Sequence, residues 1–200
     1  MTHRQIIKRS GFIGVVAAGL TLAAGLCAQE RKVPDTYTAL TTNMTPQDVQ
    51  LKADILDWSS EAQRAAAIEA LGAEDPVAAL RELPTLGIVW RSGSVVGHSV
   101  KYAHRTELDD GSERIVLVTD RRIGSTSFTP WRANDAPDAE PLDYSVIELR
   151  TGSSGGGTLL LGADLVIDAD ASSITLDAGG REPLLTEVTK QPKPYWAVED

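Results

Sequence analysis

The chain has 200 residues, one cysteine and a formal charge of −9, with 28 acidic residues against 19 basic ones. Hydrophobic residues make up 42% and charged residues 24%, which suits one globular domain with a real core and excludes wholesale disorder. An acidic chain with no dense Lys/Arg stretch repels phosphate backbones, so nucleic acid is excluded as a partner.

Residues 1–10 carry Arg4, Lys8 and Arg9 and no acid, and Gly11 to Leu26 is uncharged and almost wholly apolar. A basic start, an apolar run and then a small residue make a secretory signal peptide. As a helix that run would reach about 24 Å, short of the roughly 30 Å of bilayer hydrocarbon, so a permanent anchor is disfavoured. Cleavage is expected after Ala28, with Gly25 as a second choice for the last residue removed. Lys8-Arg9 with Phe12 departs from a twin-arginine signal, because the first arginine is replaced. Cys27 offers a minority reading as the lipidated N-terminus of a lipoprotein, but Leu26 before it is not small. Cutting after Ala28 removes three basic residues, no acid and the only cysteine, shifting the formal charge from −9 to −12. Disulfides and thiol chemistry leave with it. The expected organisation is a signal peptide at 1–28, a flexible lead-in at 29–36 and one β-sandwich-like domain at 37–200. The expected location is secreted or periplasmic, with no membrane span after cleavage.

In the mature chain, Tyr37 to Thr42 is rich in β-formers. Val49, Leu51, Ala53 and Ile55 alternate with Gln50, Lys52 and Asp54, which predicts a strand with one buried face. The period then changes. Ser60 and Gln63 have capping-box spacing, Ala65, Ile68 and Leu71 recur at helical intervals, and Gly72 ends the run. Asp75-Pro76 reads as an N-cap and first helical position, with Val77, Leu80 and Leu83 on the apolar side and Pro84 as the stop. Residues 60–83 are therefore expected as a two-helix insertion. Strands are expected near 86–91, 95–105, 113–120, 144–150, 158–168, 173–177 and 184–189. Asp109-Asp110-Gly111 suits a hairpin, Gly152 to Gly157 a flexible loop, and residues 129–143 the longest connection. The fold class is mainly β (α+β), an antiparallel β-sandwich or flattened barrel of about nine strands.

Several segments carry a resemblance. LDWSSEAQR at 56–64, ELPTLGIVW at 82–90, VKYAHR at 100–105, RIVLVTDRRIG at 114–124, YSVIELR at 144–150 and KPYW at 193–196 resemble a family of uncharacterised bacterial exported proteins with no established activity. The IVLVTDR and VIELR segments are the most specific of these. The resemblance implies export and fold class, and it transfers no catalytic residue.

Motifs for chemistry are sparse. His98 and His104 lie six residues apart on one expected strand, hence on one face, without metal-ligand spacing. Asp168, Asp170 and Ser172 open like a calcium loop, but Ser173 and Gly179 stand where Gly and Glu are needed, so a hairpin is expected. The glycines of 152–157 lack the lysine and helix of a phosphate loop. There is no nucleophile elbow, although Ser125 or Ser127 could meet His104 and Asp120. Trp58 and Trp90 belong to apolar runs, whereas Trp131 sits in the proline-bearing loop and is the aromatic to test for ligand contact. No cofactor is expected.

The remaining candidates are charges placed where apolar alternation ends. Val116 and Val118 lead to Asp120 and Arg121, and Val146 leads to Glu148 and Arg150. If the two strands are neighbours, these charges could meet at the sheet end, with His104 beside them. A structural ion-pair ladder is the favoured reading and a polar binding site the sharper one. The expected function is an exported non-enzymatic module that binds an unknown protein or envelope component. The alternatives are a hydrolase using His104 and nearby carboxylates, or a carbohydrate-binding module using Trp131.

Overall fold

The computed structural model describes residues 32–125, 131–134, 142–152, 155–160, 165–168, 173–176 and 184–194. The expected signal peptide, Trp196, Ser127 and the central turn of the calcium-like stretch lie outside them. The chain from Lys32 onward is one compact unit. Its described elements are β1 (Asp35–Thr41), β2 (Met44–Thr45), β3 (Gln50–Ile55), α1 (Glu61–Leu71), α2 (Pro76–Glu82), β4 (Gly87–Arg91), β5 (His98–Glu107), β6 (Glu113–Thr119), β7 (Arg132–Ala133), β8 (Val146–Arg150), β9 (Gly156–Leu160), β10 (Leu165–Asp168), β11 (Ser173–Leu176) and β12 (Leu185–Lys190).

Eight strands close an antiparallel barrel in the order β1-β12-β9-β8-β6-β5-β4-β3. Closure comes from β1, which pairs with β3 on one side and β12 on the other. It satisfies both sheet edges, which an open sheet would leave as templates for aggregation. The mainly β class and the barrel alternative hold. The strand tally is corrected from about nine to twelve among the described residues. Two of the additions, β2 and β7, are two-residue strands that pair with each other and gave no periodic signal. The expected strand 158–168 is in fact two, because β9 stays in the barrel while β10 pairs with β11 in a separate hairpin. That pairing sets Asp168 opposite Ser173, in keeping with the hairpin reading.

Period-two alternation builds the two cores. Leu51, Ala53 and Ile55 of β3, Ile115 and Leu117 of β6 and Ile147 and Leu149 of β8 point into the barrel. Val116, Val118 and Val146 point outward and pack beneath α1, α2 and Ile174 of β11 with Tyr102 and Leu80. The helices thus cover one outer face of the barrel. Their starts follow the expected chemistry: the Ser60–Gln63 capping box is present in both directions, and Asp75 accepts the Ala78 N–H ahead of Pro76. No helix among the described residues is long and apolar enough to cross a membrane.

A β-bulge between Val100 and Tyr102 corrects the expectation for the histidines. One extra residue reverses the alternation, so Val100 and Ala103 point inward while Tyr102 points to the helices. His98 therefore has the inward parity of Val100, and His104 the outward parity of Tyr102. The freed residue, Lys101, is buried and donates to the Leu83 carbonyl at 2.8 Å and the Thr85 hydroxyl at 3.2 Å. It closes the C-terminus of α2, where a cation also suits the helix dipole.

The glycine stretch also differs from expectation. Gly156 and Gly157 belong to β9, and a Cβ on Gly157 would collide with the Glu148 carbonyl. These glycines permit close strand approach. Gly124 has φ +81°, and its missing Cβ makes room for the Trp131 ring.

Candidate functional site

The strands carrying the predicted charges, β6 and β8, are neighbours, but their antiparallel register separates the charges. Val118 faces Val146, Val116 faces Glu148, and Arg114 faces Arg150. Arg150 therefore lies at the start of β6 and Glu148 beside its middle, whereas Asp120 and Arg121 follow its end. The five predicted residues fall into two groups, with His104, Glu148 and Arg150 along β6 and Asp120 with Arg121 beyond its end.

The first group lies on the outer face. Glu148 is only 6% exposed, and both its carboxylate oxygens are occupied. Arg114 Nη2 donates to one at 2.6 Å and Arg150 Nε to the other at 2.9 Å. Arg114 also donates to the Ile174 carbonyl at 3.2 Å, tying β6 to the overlying hairpin. This is an ion-pair array, and its third member, Arg114, was missed because it precedes the apolar run that directed attention to the strand's other end. His104 lies across from Val116, which in turn lies across from Glu148. Two strand spacings therefore separate His104 from Glu148, about 10 Å between backbones. His104 sits edge-on to Tyr102 at 6.2 Å. Burial, followed by the Arg64 and Arg114 charges, lowers its pKa below the usual imidazole value. At neutral pH it is an uncharged ring beside cations.

The second group gathers around His98, which is 2% exposed. Arg121 Nη2 donates to the Gly97 carbonyl at 2.8 Å, and its Nε lies 3.8 Å from Asp120 Oδ1, too long for a hydrogen bond. His98 Nδ1, Asp120 Oδ1, Arg121 Nε and Arg91 Nε are all buried without a hydrogen-bond partner. Burial and the Arg121 charge push the His98 pKa down, with Asp120 opposing them and Arg91 adding to them. The folded state therefore favours neutral His98. That contribution is complete above the ordinary value of 6.5 and is lost as pH falls through the lowered one. Thermal melts should show a steeper loss of stability below pH 6.5 for the native chain than for His98→Gln; parallel pH profiles would contradict this.

A third polar network has no counterpart in the sequence reading. At the barrel end where β1 begins, the Tyr37 hydroxyl donates to Glu113 at 3.0 Å, and Lys190 and Arg105 donate to the same carboxylate at 2.9 and 3.3 Å. Trp58 Nε1 donates to Asp35 at 3.0 Å, and the Arg105 guanidinium lies 4.9 Å from the Trp58 ring centre. Burial acts to raise the Glu113 pKa, but its Lys190 and Tyr37 hydrogen bonds hold it below the usual carboxylate range. Burial and Glu113 push the Tyr37 phenol well up. Each polar group here serves another, as in a structural clasp between β1, β5, β6 and β12.

An eight-stranded barrel is just wide enough to be filled by side chains or to hold one small ligand. Here Tyr37, Leu51, Val89, Leu117, Ile147 and Leu149 surround a void of about 10 Å³, at the lower limit for one water. Trp131 is 6% exposed and belongs to this core with Met44, Ile123 and Ala133, its ring seated on Gly124. The residue singled out for sugar stacking is therefore a core residue. No cluster of three or more His, Cys, Asp or Glu side chains suited to a metal occurs among the described residues. Comparison with family models, curated proteins and solved structures finds no match to this chain, so the resemblance rests on the quoted segments alone.

Proposed function

We propose that this chain is an exported, non-enzymatic β-barrel module that recognises a protein or envelope component with its outer surface. The packed interior carries this reading: among the described residues the void between Tyr37, Leu117 and Leu149 is only about 10 Å³, too small for a substrate, and the exterior is the surface left for recognition. The charged candidates support it as well. Both oxygens of Glu148 are engaged by arginines, and His104 stands two strand spacings away, so neither is set up for general acid–base work with the other, which requires hydrogen-bond reach. Export is supported by the basic start and apolar run of residues 1–26. The exported protein is expected to begin at Gln29 by N-terminal sequencing; an N-terminus at lipidated Cys27 or at Met1 would overturn that part.

The functional test uses the mature chain. It is expected to retain an envelope component saturably and to leave model ester, phosphate, peptide and glycoside substrates unchanged. Turnover that disappears in His104→Ala or His98→Ala would overturn the non-enzymatic reading.

A further inference from the structure

A groove of about 690 Å³ runs between the start of α2 and the segment leading into β8, a size in the range of ligand-binding clefts. Its rim carries three exposed carboxylates, Glu74, Asp75 and Asp143, and no basic residue lines it among the described residues. Asp75 caps α2 with one oxygen, while Glu74 and Asp143 have no partner among the described residues. The floor is half-buried Val77 and Leu142, packed on the outer core, together with Tyr144. Tyr144 is 8% exposed, but its hydroxyl still meets solvent and is not among the buried polar atoms that lack a partner. Burial pushes its pKa up. The residues around α2 thus combine unpaired negative charge, an apolar floor and a hydroxyl that reaches solvent.

We propose that this groove docks a lysine- or arginine-bearing peptide segment of a partner protein. Such side chains match both layers: their aliphatic stems cover Val77 and Leu142 while their charged heads reach Glu74 and Asp143. The Tyr144 hydroxyl then pairs with the peptide backbone. The overall charge of −9 steers a basic segment toward the protein from a distance. This deepens the reading that the outer surface binds a partner, and rests on it.

The test is fluorescence anisotropy with two labelled probes, a peptide alternating lysine with leucine and one alternating glutamate with leucine. The lysine peptide is expected to bind saturably and the glutamate peptide not to bind. Glu74→Gln with Asp143→Asn should weaken binding about tenfold, and Tyr144→Phe should weaken it several-fold while keeping the ring in place. A control with the same charge change, Glu107→Gln with Asp109→Asn at the β5–β6 hairpin, should leave binding almost intact. Equal weakening by the control, or no preference for the lysine peptide, overturns the groove assignment. If the peptide fails while an envelope component is still retained, the groove alone is wrong; if both fail, the surface-binding reading falls with it.

Discussion

Glu148→Ala is expected to destabilise the protein by about 3 kcal/mol, because it strands the Arg114 guanidinium beneath β11 without its counter-charge. Arg114 is 17% exposed and also holds the Ile174 carbonyl, so water can replace the lost carboxylate only in part. Arg150→Ala should cost less than about 1 kcal/mol, since that side chain is 59% exposed and screened. Replacing the buried pair together, as Arg114→Met with Glu148→Leu, should recover most of the loss, because no unpaired charge is then buried. Urea unfolding of the four proteins decides it. If Glu148→Ala were as stable as the native chain and partner binding disappeared, the array would be the binding site and its structural role would be wrong.

Ile55→Asp is the larger perturbation. Ile55 is 2% exposed and faces the barrel interior with Leu51 and Ala53, opposite Gly87 of β4 and Asp35 of β1. An aspartate there places a carboxylate in an apolar interior with no room for the water it would need. A loss of about 4–5 kcal/mol is expected, a large share of the roughly 5–15 kcal/mol that stabilises an ordinary domain. Ile55→Val, which removes one methyl, should cost about 1 kcal/mol. Thermal unfolding followed by circular dichroism measures both. A melting temperature unchanged in Ile55→Asp would mean that this face of β3 is exposed and the barrel is not closed there.

Local patterns were legible in the sequence wherever the physics is local. The alternation of Leu51, Ala53 and Ile55 marked the inward face of β3. Ser60 with Gln63 and Asp75 with Pro76 marked both helix starts within a residue, because caps satisfy amide groups only a few positions away. Non-local features were hidden. Barrel closure pairs Tyr37 with Lys190, and the Tyr37–Glu113 hydrogen bond joins residues 76 positions apart; no periodicity encodes such partners. The bulge in β5 was silent as well, since Val100, Lys101 and Tyr102 all suit a regular strand, yet one extra residue placed the two histidines on opposite faces.

The candidate site illustrates the same division. Glu148 and Arg150 stood out because charge interrupts apolar alternation, and the structure does place them in an ion-pair array. Their expected meeting with Asp120 required a register that sequence does not provide, and the antiparallel pairing sets Glu148 beside the middle of β6 and Arg150 beside its start, away from Asp120. Trp131 was the aromatic to test for ligand contact because it sits in the proline-bearing loop. Gly124, seven positions earlier, supplies the missing Cβ that lets the ring pack inside. The groove below α2 was missed because Val77 and Tyr144 belong to segments with separate explanations, a helix and a strand approach, that meet only in the fold.

Recognition from outside the barrel, as proposed, places the partner in the groove beside α2. Methyl-resolved NMR of the mature chain, titrated with the lysine–leucine peptide, tests it most directly. The methyl signals of Val77 and Leu142 are expected to shift while those of Leu117, Ile147 and Leu149 stay in place. Shifts at Leu117, Ile147 and Leu149 with Val77 and Leu142 unmoved would mean that the ligand enters the barrel, and would contradict it.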